Sequence, residues 1–236
     1  MLEYYITLGT VVFGILGGIF FLFDWFRHKR RHPFLLLWAI GFFLLFGFQV
    51  PMIKGNEGAE LTLTDFNNFF AIMFPLSMLA LVLIYAGLES VRGVFSRRKK
   101  WFAFLFIAAA TAAFEADFLL NAGVLQNYIF MFATLFIFHA PIEFLIARSA
   151  WRLRNGTEIS RAGAAIMAMG GIFGMAQDFL VAYKVWTYPP AFWFTALMQF
   201  TLLHTVQILS VLCLLVGAIL VHRRYVFANI QALRSA

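Results

Sequence analysis

Charge is scarce in this chain and cysteine is nearly absent. Only 12% of the 236 residues are charged, and Cys213 is the single cysteine. One thiol excludes an internal disulfide and any thiolate metal cluster. The zinc-protease signature H-E-x-x-H does not occur, nor does an acidic calcium loop of the EF-hand type. Retinal-type light sensing needs a Schiff-base lysine inside a late helix. The five lysines, Lys29, Lys54, Lys99, Lys100 and Lys184, all fall between apolar runs or at their ends, which argues against that chemistry.

Apolar side chains fill the space that charge leaves. The composition is 63% hydrophobic with a mean hydropathy of +0.85, which belongs to integral membrane proteins. A net charge of +7 would suggest nucleic acid as partner in a water-soluble chain. Here the cations are placed otherwise. Sixteen of the eighteen Lys and Arg residues lie in four short segments, at 27–31, 92–100, 148–161 and 223–234, alternating with apolar stretches about a helix-span long. Such an excess on one side of a bilayer orients membrane insertion, so the partner expected is the lipid bilayer and not nucleic acid.

A spanning helix needs about 20 residues. The expected spans are 7–26, 33–53, 67–91, 101–121, 128–148, 162–186 and 191–221. The fold class is therefore all-α: one seven-helix transmembrane domain over 1–236, N-terminus outside and C-terminus cytoplasmic, expected in a prokaryotic cytoplasmic membrane. Glu3 precedes the first apolar run and Arg27 follows it, which suits an uncleaved, N-out helix. With only short connections, any signalling output would pass through a membrane or cytoplasmic protein partner. Tyr4, Tyr5, Tyr128, Trp186, Tyr188 and Trp193 fall where an outer aromatic belt is expected. The spacings Gly14/Gly18 and Gly170/Gly174 suit close helix packing in lipid. Pro75 and Pro141 predict kinks within helices.

The acids point to chemistry. Asp24 and Glu89 lie at inner helix ends beside Arg27 and Arg92, where snorkelling and local pairing account for them. Glu115, Asp117, Glu143 and Asp178 fall inside expected spans. A charge at the bilayer centre costs at least about 2.5–3.5 kcal/mol on insertion scales, so these groups must face the bundle interior, be protonated or find partners. His139 and His204 fall near mid-span on the fifth and seventh helices, Glu143 one turn below His139 and Gln207 almost one turn below His204. A faint internal echo accompanies them. Asp117-Phe-Leu-Leu recurs as Asp178-Phe-Leu-Val, and His139 has its counterpart in His204.

Asp178, His139, His204, Glu143, Glu115, Asp117 and Gln207 are accordingly the expected binding residues of an outward-opening cavity. Its ligand would be a small solute, a proton or cation, or an apolar molecule. His139 and His204 are the candidate metal ligands, for zinc, iron, copper or a haem. A carrier or ligand-binding protein is the leading expectation, and a membrane-embedded enzyme, metal-centred or an acid catalyst on a lipid or isoprenoid, is the alternative. A sensor or accessory subunit is the third. Asp117-Phe-Leu-Leu with Gly123-Val124, Pro141-Ile142-Glu143, and Asp178 with Val185-Trp186-Thr187-Tyr188 resemble short acidic motifs of the membrane-bound, two-repeat lycopene cyclases. That resemblance implies acid catalysis on an isoprenoid. It covers about a dozen residues and lacks the family's paired glutamates, since Phe144 follows Glu143 and the second repeat has Thr205-Val206-Gln207. It does not assign the chain to that family.

Overall fold

In a computed structural model, residues 2–29, 32–47, 63–93, 96–120, 134–155, 161–189, 192, 196–197 and 199–235 are described. No strand occurs among them. The described helices are α1 (Leu2–Arg27), α2 (Pro33–Gly47), α3 (Leu63–Val91), α4 (Arg97–Leu120), α5 (Ala140–Leu153), α6 (Arg161–Thr187) and α7 (Thr201–Ser235). A π-helical turn, Thr134–His139, leads directly into α5. Among the described residues, three stretches are long and apolar enough to cross a membrane: Tyr4–Arg27, Arg161–Thr187 and Thr201–Tyr225. Shorter apolar helices run over Pro33–Leu45, Pro75–Val91 and Trp101–Ala112. Phe13, Leu16, Ile19 and Phe23 on α1, and Phe102, Phe104 and Leu105 on α4, are exposed. Water does not tolerate apolar faces of that extent, whereas lipid does, so this is a membrane protein.

Small residues set the helix packing. A Cβ on Gly18 would strike the Phe43 ring of α2, and one on Gly17 would strike Leu215 of α7. On α6, Gly163 and Gly170 admit Leu220 and Leu214 of α7, while Gly171 and Gly174 admit Glu143 and Ala147 of α5. The Gly170/Gly174 pair expected to serve one close approach thus serves two. The core is built on Phe21, Trp38, Phe42, Met78, Leu81, Ile84, Ile146 and Met167, all buried. Trp38 donates its indole N–H to the Ile84 carbonyl at 3.1 Å, and Gly87 leaves room for the indole.

The contacts also give helix directions. Gly18 meets Phe43 while Phe21 meets Trp38, and Gly41 meets Ala80 while Trp38 meets Gly87, so α1, α2 and α3 run antiparallel in turn. His139 meets Asp178 while Ala147 meets Gly171, which makes α5 and α6 antiparallel. Gly163 against Leu220 and Gly170 against Leu214 do the same for α6 and α7. On α7, Ile208, Leu215 and His222, spaced by sevens, meet Gly9, Gly17 and Asp24 of α1, so the first and last helices run parallel. In this arrangement Arg27, Arg92, Arg98, Arg152, Arg161 and Arg223 share one end of the helix set.

Helix boundaries depart from the expected spans where polarity and helix formation part company. The stretch expected over 191–221 begins instead at Thr201 and runs on to Ser235. Pro189 follows the end of α6, and Gln199 and Phe200 lie outside helix just before α7. Beyond Val221 the chain turns polar, yet no Gly or Pro ends the helix there. Likewise α4 starts at Arg97, a turn before its apolar part. The parts of the expected spans at 48–53, 121, 128–133, 191, 193–195 and 198 lie outside the described residues, as do Tyr128 and Trp193 of the expected belt. Tyr5, Trp186 and Tyr188 of that belt are exposed at the end opposite the arginines.

Candidate functional site

Pro141 shapes the site. It has no N–H to close a helical bond, and the backbone before it widens into the π-helical turn that ends at His139. His139 and Glu143 then stack on one face of the chain, a helical turn apart, with the imidazole Nδ1 3.7 Å from Oε1 of Glu143. From α6, Asp178 reaches the same imidazole at 2.9 Å. One ligand atom from each of the three residues lies within 4.8 Å of the other two.

Burial at this point is nearly complete: Asp178 is 1% exposed, Glu143 4% and His139 9%. Glycine makes room for it. A side chain at Gly174 would overlap the Glu143 carboxylate, and a Cβ at Gly171 would come to 2.6 Å from the Glu143 carbonyl oxygen. One carboxylate oxygen of Glu143, Oε2, has no hydrogen-bond partner among the described residues. A buried carboxylate oxygen left that way is expensive unless a proton or cation accompanies it.

Of the seven expected site residues, the structure thus gathers His139, Glu143 and Asp178 into one cluster. The pairing joins the hairpin that carries His139 to the one that carries Asp178. His204 (1% exposed) and Gln207 are buried on α7. The α6–α7 register sets His204 level with Asp178, but it is not one of the three clustered groups. Glu115 is half-buried on α4. Asp117 lies in α4, with its side chain outside the description. Around His139 the donor set is two carboxylates and one imidazole, suited to a shared proton or a cation.

Two further polar clusters occur at the arginine-rich end. Glu89, 1% exposed, is held by Arg92 and Lys99 and accepts a hydrogen bond from Ser149 Oγ at 2.8 Å. The expected Glu89–Arg92 pair is present, and Lys99 and Ser149 extend it to α4 and α5. Asp24 needs correction. Its partner is not Arg27 but His222 Nε2 of α7, at 2.5 Å, with His28 close by. His222 and His28 escaped attention because they sit in basic stretches that read as topological signals. One cue is present: His28-Lys29-Arg30-Arg31-His32 places two imidazoles four residues apart, the second immediately before α2. No protein-family profile, curated protein or solved structure matches the chain.

Proposed function

We propose that this chain is a seven-span membrane carrier or ligand-binding protein, N-terminus outside and C-terminus cytoplasmic, that takes up a proton or cation at His139, Glu143 and Asp178. One observation carries the reading: two carboxylates and a single imidazole are enclosed together in an apolar helix bundle. Even with the imidazole protonated, the ionised cluster is one positive charge short of neutrality. In a medium where an unbalanced charge is costly, that deficit binds a proton or a cation. The Pro141 site supports a mobile function, because π-helical turns and proline interrupt the helix ladder and let its two halves reorient. Coupling to a small solute would use Gln207 and His204, buried at neighbouring depth on α7.

Proteoliposomes test this. Purified protein is reconstituted with a pH-sensitive dye inside, and proton and alkali-cation gradients are imposed in turn. Wild type is expected to dissipate at least one gradient, and Asp178→Asn to fall to the rate of protein-free vesicles. Equal rates for wild type, Asp178→Asn and empty vesicles under every gradient would overturn the proposal.

A further inference from the structure

We propose that Asp24, His28 and His222 form a second site, for a first-row divalent transition-metal ion of the zinc type, at the arginine-rich end of the bundle. Three side chains far apart in sequence meet there, each offering one ligand atom within 4.8 Å of the others. Asp24 and His28 are four residues apart, so the end of α1 presents both on one side. His28 follows the last helical residue, and Lys29, with φ of 51°, turns the chain away immediately after it. His222 comes from α7, where the seven-residue seam against α1 aims it at Asp24.

The donor chemistry selects the ligand. Two imidazoles and one carboxylate suit zinc, iron(II) and their neighbours, whereas calcium and magnesium prefer oxygen alone. The surroundings sharpen that choice. Arg27, Lys29, Arg223 and Arg224 lie next to these ligands in sequence and repel every dication alike, so an ion is held here only where its bonds to nitrogen outweigh that repulsion. Phe21 and Phe34 pack edge-on to the His222 ring and shield one side from water. The buried Nδ1 of His222 has no hydrogen-bond partner among the described residues, and Nε2 bonds to Asp24. His32 packs beside the site, its ring centre 5.5 Å from that of His28.

Loading needs shifts of about 1.5 Å or less, since all three ligand atoms lie within 4.8 Å of one another. Tetrahedral zinc with arms of about 2.0 Å holds neighbouring ligand atoms about 3.3 Å apart. The Asp24–His222 pair stands at 2.5 Å and must open by less than an ångström. The bound ion would staple the first helix to the last, independently of the His139 cluster.

Tag-free protein, stripped with a chelator and then dialysed against zinc, tests the site by metal content and thermal unfolding. Cobalt(II) substitution gives a visible spectrum that reports the ligands directly. Wild type is expected to retain one equivalent more than His28→Ala or His222→Ala, and zinc should raise its Tm but not theirs. His28→Ala leaves the helix core intact, and Asp24→Asn preserves shape, so loss of metal in a variant that still elutes as wild type reports ligation and not unfolding. Loss of a ligand should weaken zinc by more than the about 10–100-fold that follows loss of an outer-shell partner. Glu143→Gln should keep the equivalent, which separates this site from the buried cluster. Equal metal content in wild type and His28→Ala, or a wild-type Tm indifferent to zinc, would overturn the proposal and leave the Asp24–His222 bond as a helix tie alone.

Discussion

Replacing His139 by leucine and Asp178 by asparagine should have opposite consequences, although the two side chains touch at 2.9 Å. His139→Leu removes the one base and leaves Glu143 and Asp178 facing each other, both at most 4% exposed. Breaking a buried pair in this way costs about 3–5 kcal/mol, because a charge is left without compensation. At about 2–4 °C per kcal/mol for a chain of this length, Tm should fall by about 6–20 °C. Asp178→Asn keeps an oxygen acceptor for the His139 ring and deletes one of the two negative charges. The remaining Glu143–His139 pair is neutral by itself, so stability should stay within about 1 kcal/mol of wild type or rise. Thermal unfolding in detergent, followed by tryptophan fluorescence, reads both variants on one scale. Equal losses would refute the charge-count argument, because a simple hydrogen-bond tie is broken equally from either side. A harmless His139→Leu would refute it outright.

Three other expectations follow from the same contacts. Gly174→Val puts a side chain where the Glu143 carboxylate lies, and should lower stability by about 1–3 kcal/mol and abolish gradient dissipation in proteoliposomes. Ser149→Ala withdraws a buried donor from Glu89 while leaving Arg92 and Lys99 in place, and should cost about 1–3 kcal/mol in denaturant or thermal unfolding. With Cys213 replaced by alanine, a cysteine at the exposed Ser96 should react with an impermeant thiol reagent only from the cytoplasmic side; labelling from outside would invert the proposed orientation.

Some of this was legible in the sequence and some was not, for physical reasons. Apolar length and the arginine clusters announce membrane helices because lipid constrains every residue of a span. Stacking of His139 and Glu143 follows from their four-residue spacing alone. Asp178 could be marked as buried from its position in a span, but its partner depends on how α6 packs on α5, which Gly171 and Gly174 decide in three dimensions. The start of α7 at Thr201 is not legible, because apolarity reports depth and not where a helix begins. Asp24 was assigned to Arg27 because local spacing favours near neighbours, whereas the parallel packing of α1 and α7 brings in His222 from the other end of the chain.

Infrared spectroscopy of the carboxyl stretch tests the central claim most directly, because it reports a proton held between enclosed acids without assuming what is transported. Wild type should show a protonated-carboxyl band that is absent from Glu143→Gln or Asp178→Asn and bleaches when a bound cation takes the proton's place. A spectrum identical in wild type and both variants, under every ionic condition, would mean that these side chains hold nothing in common.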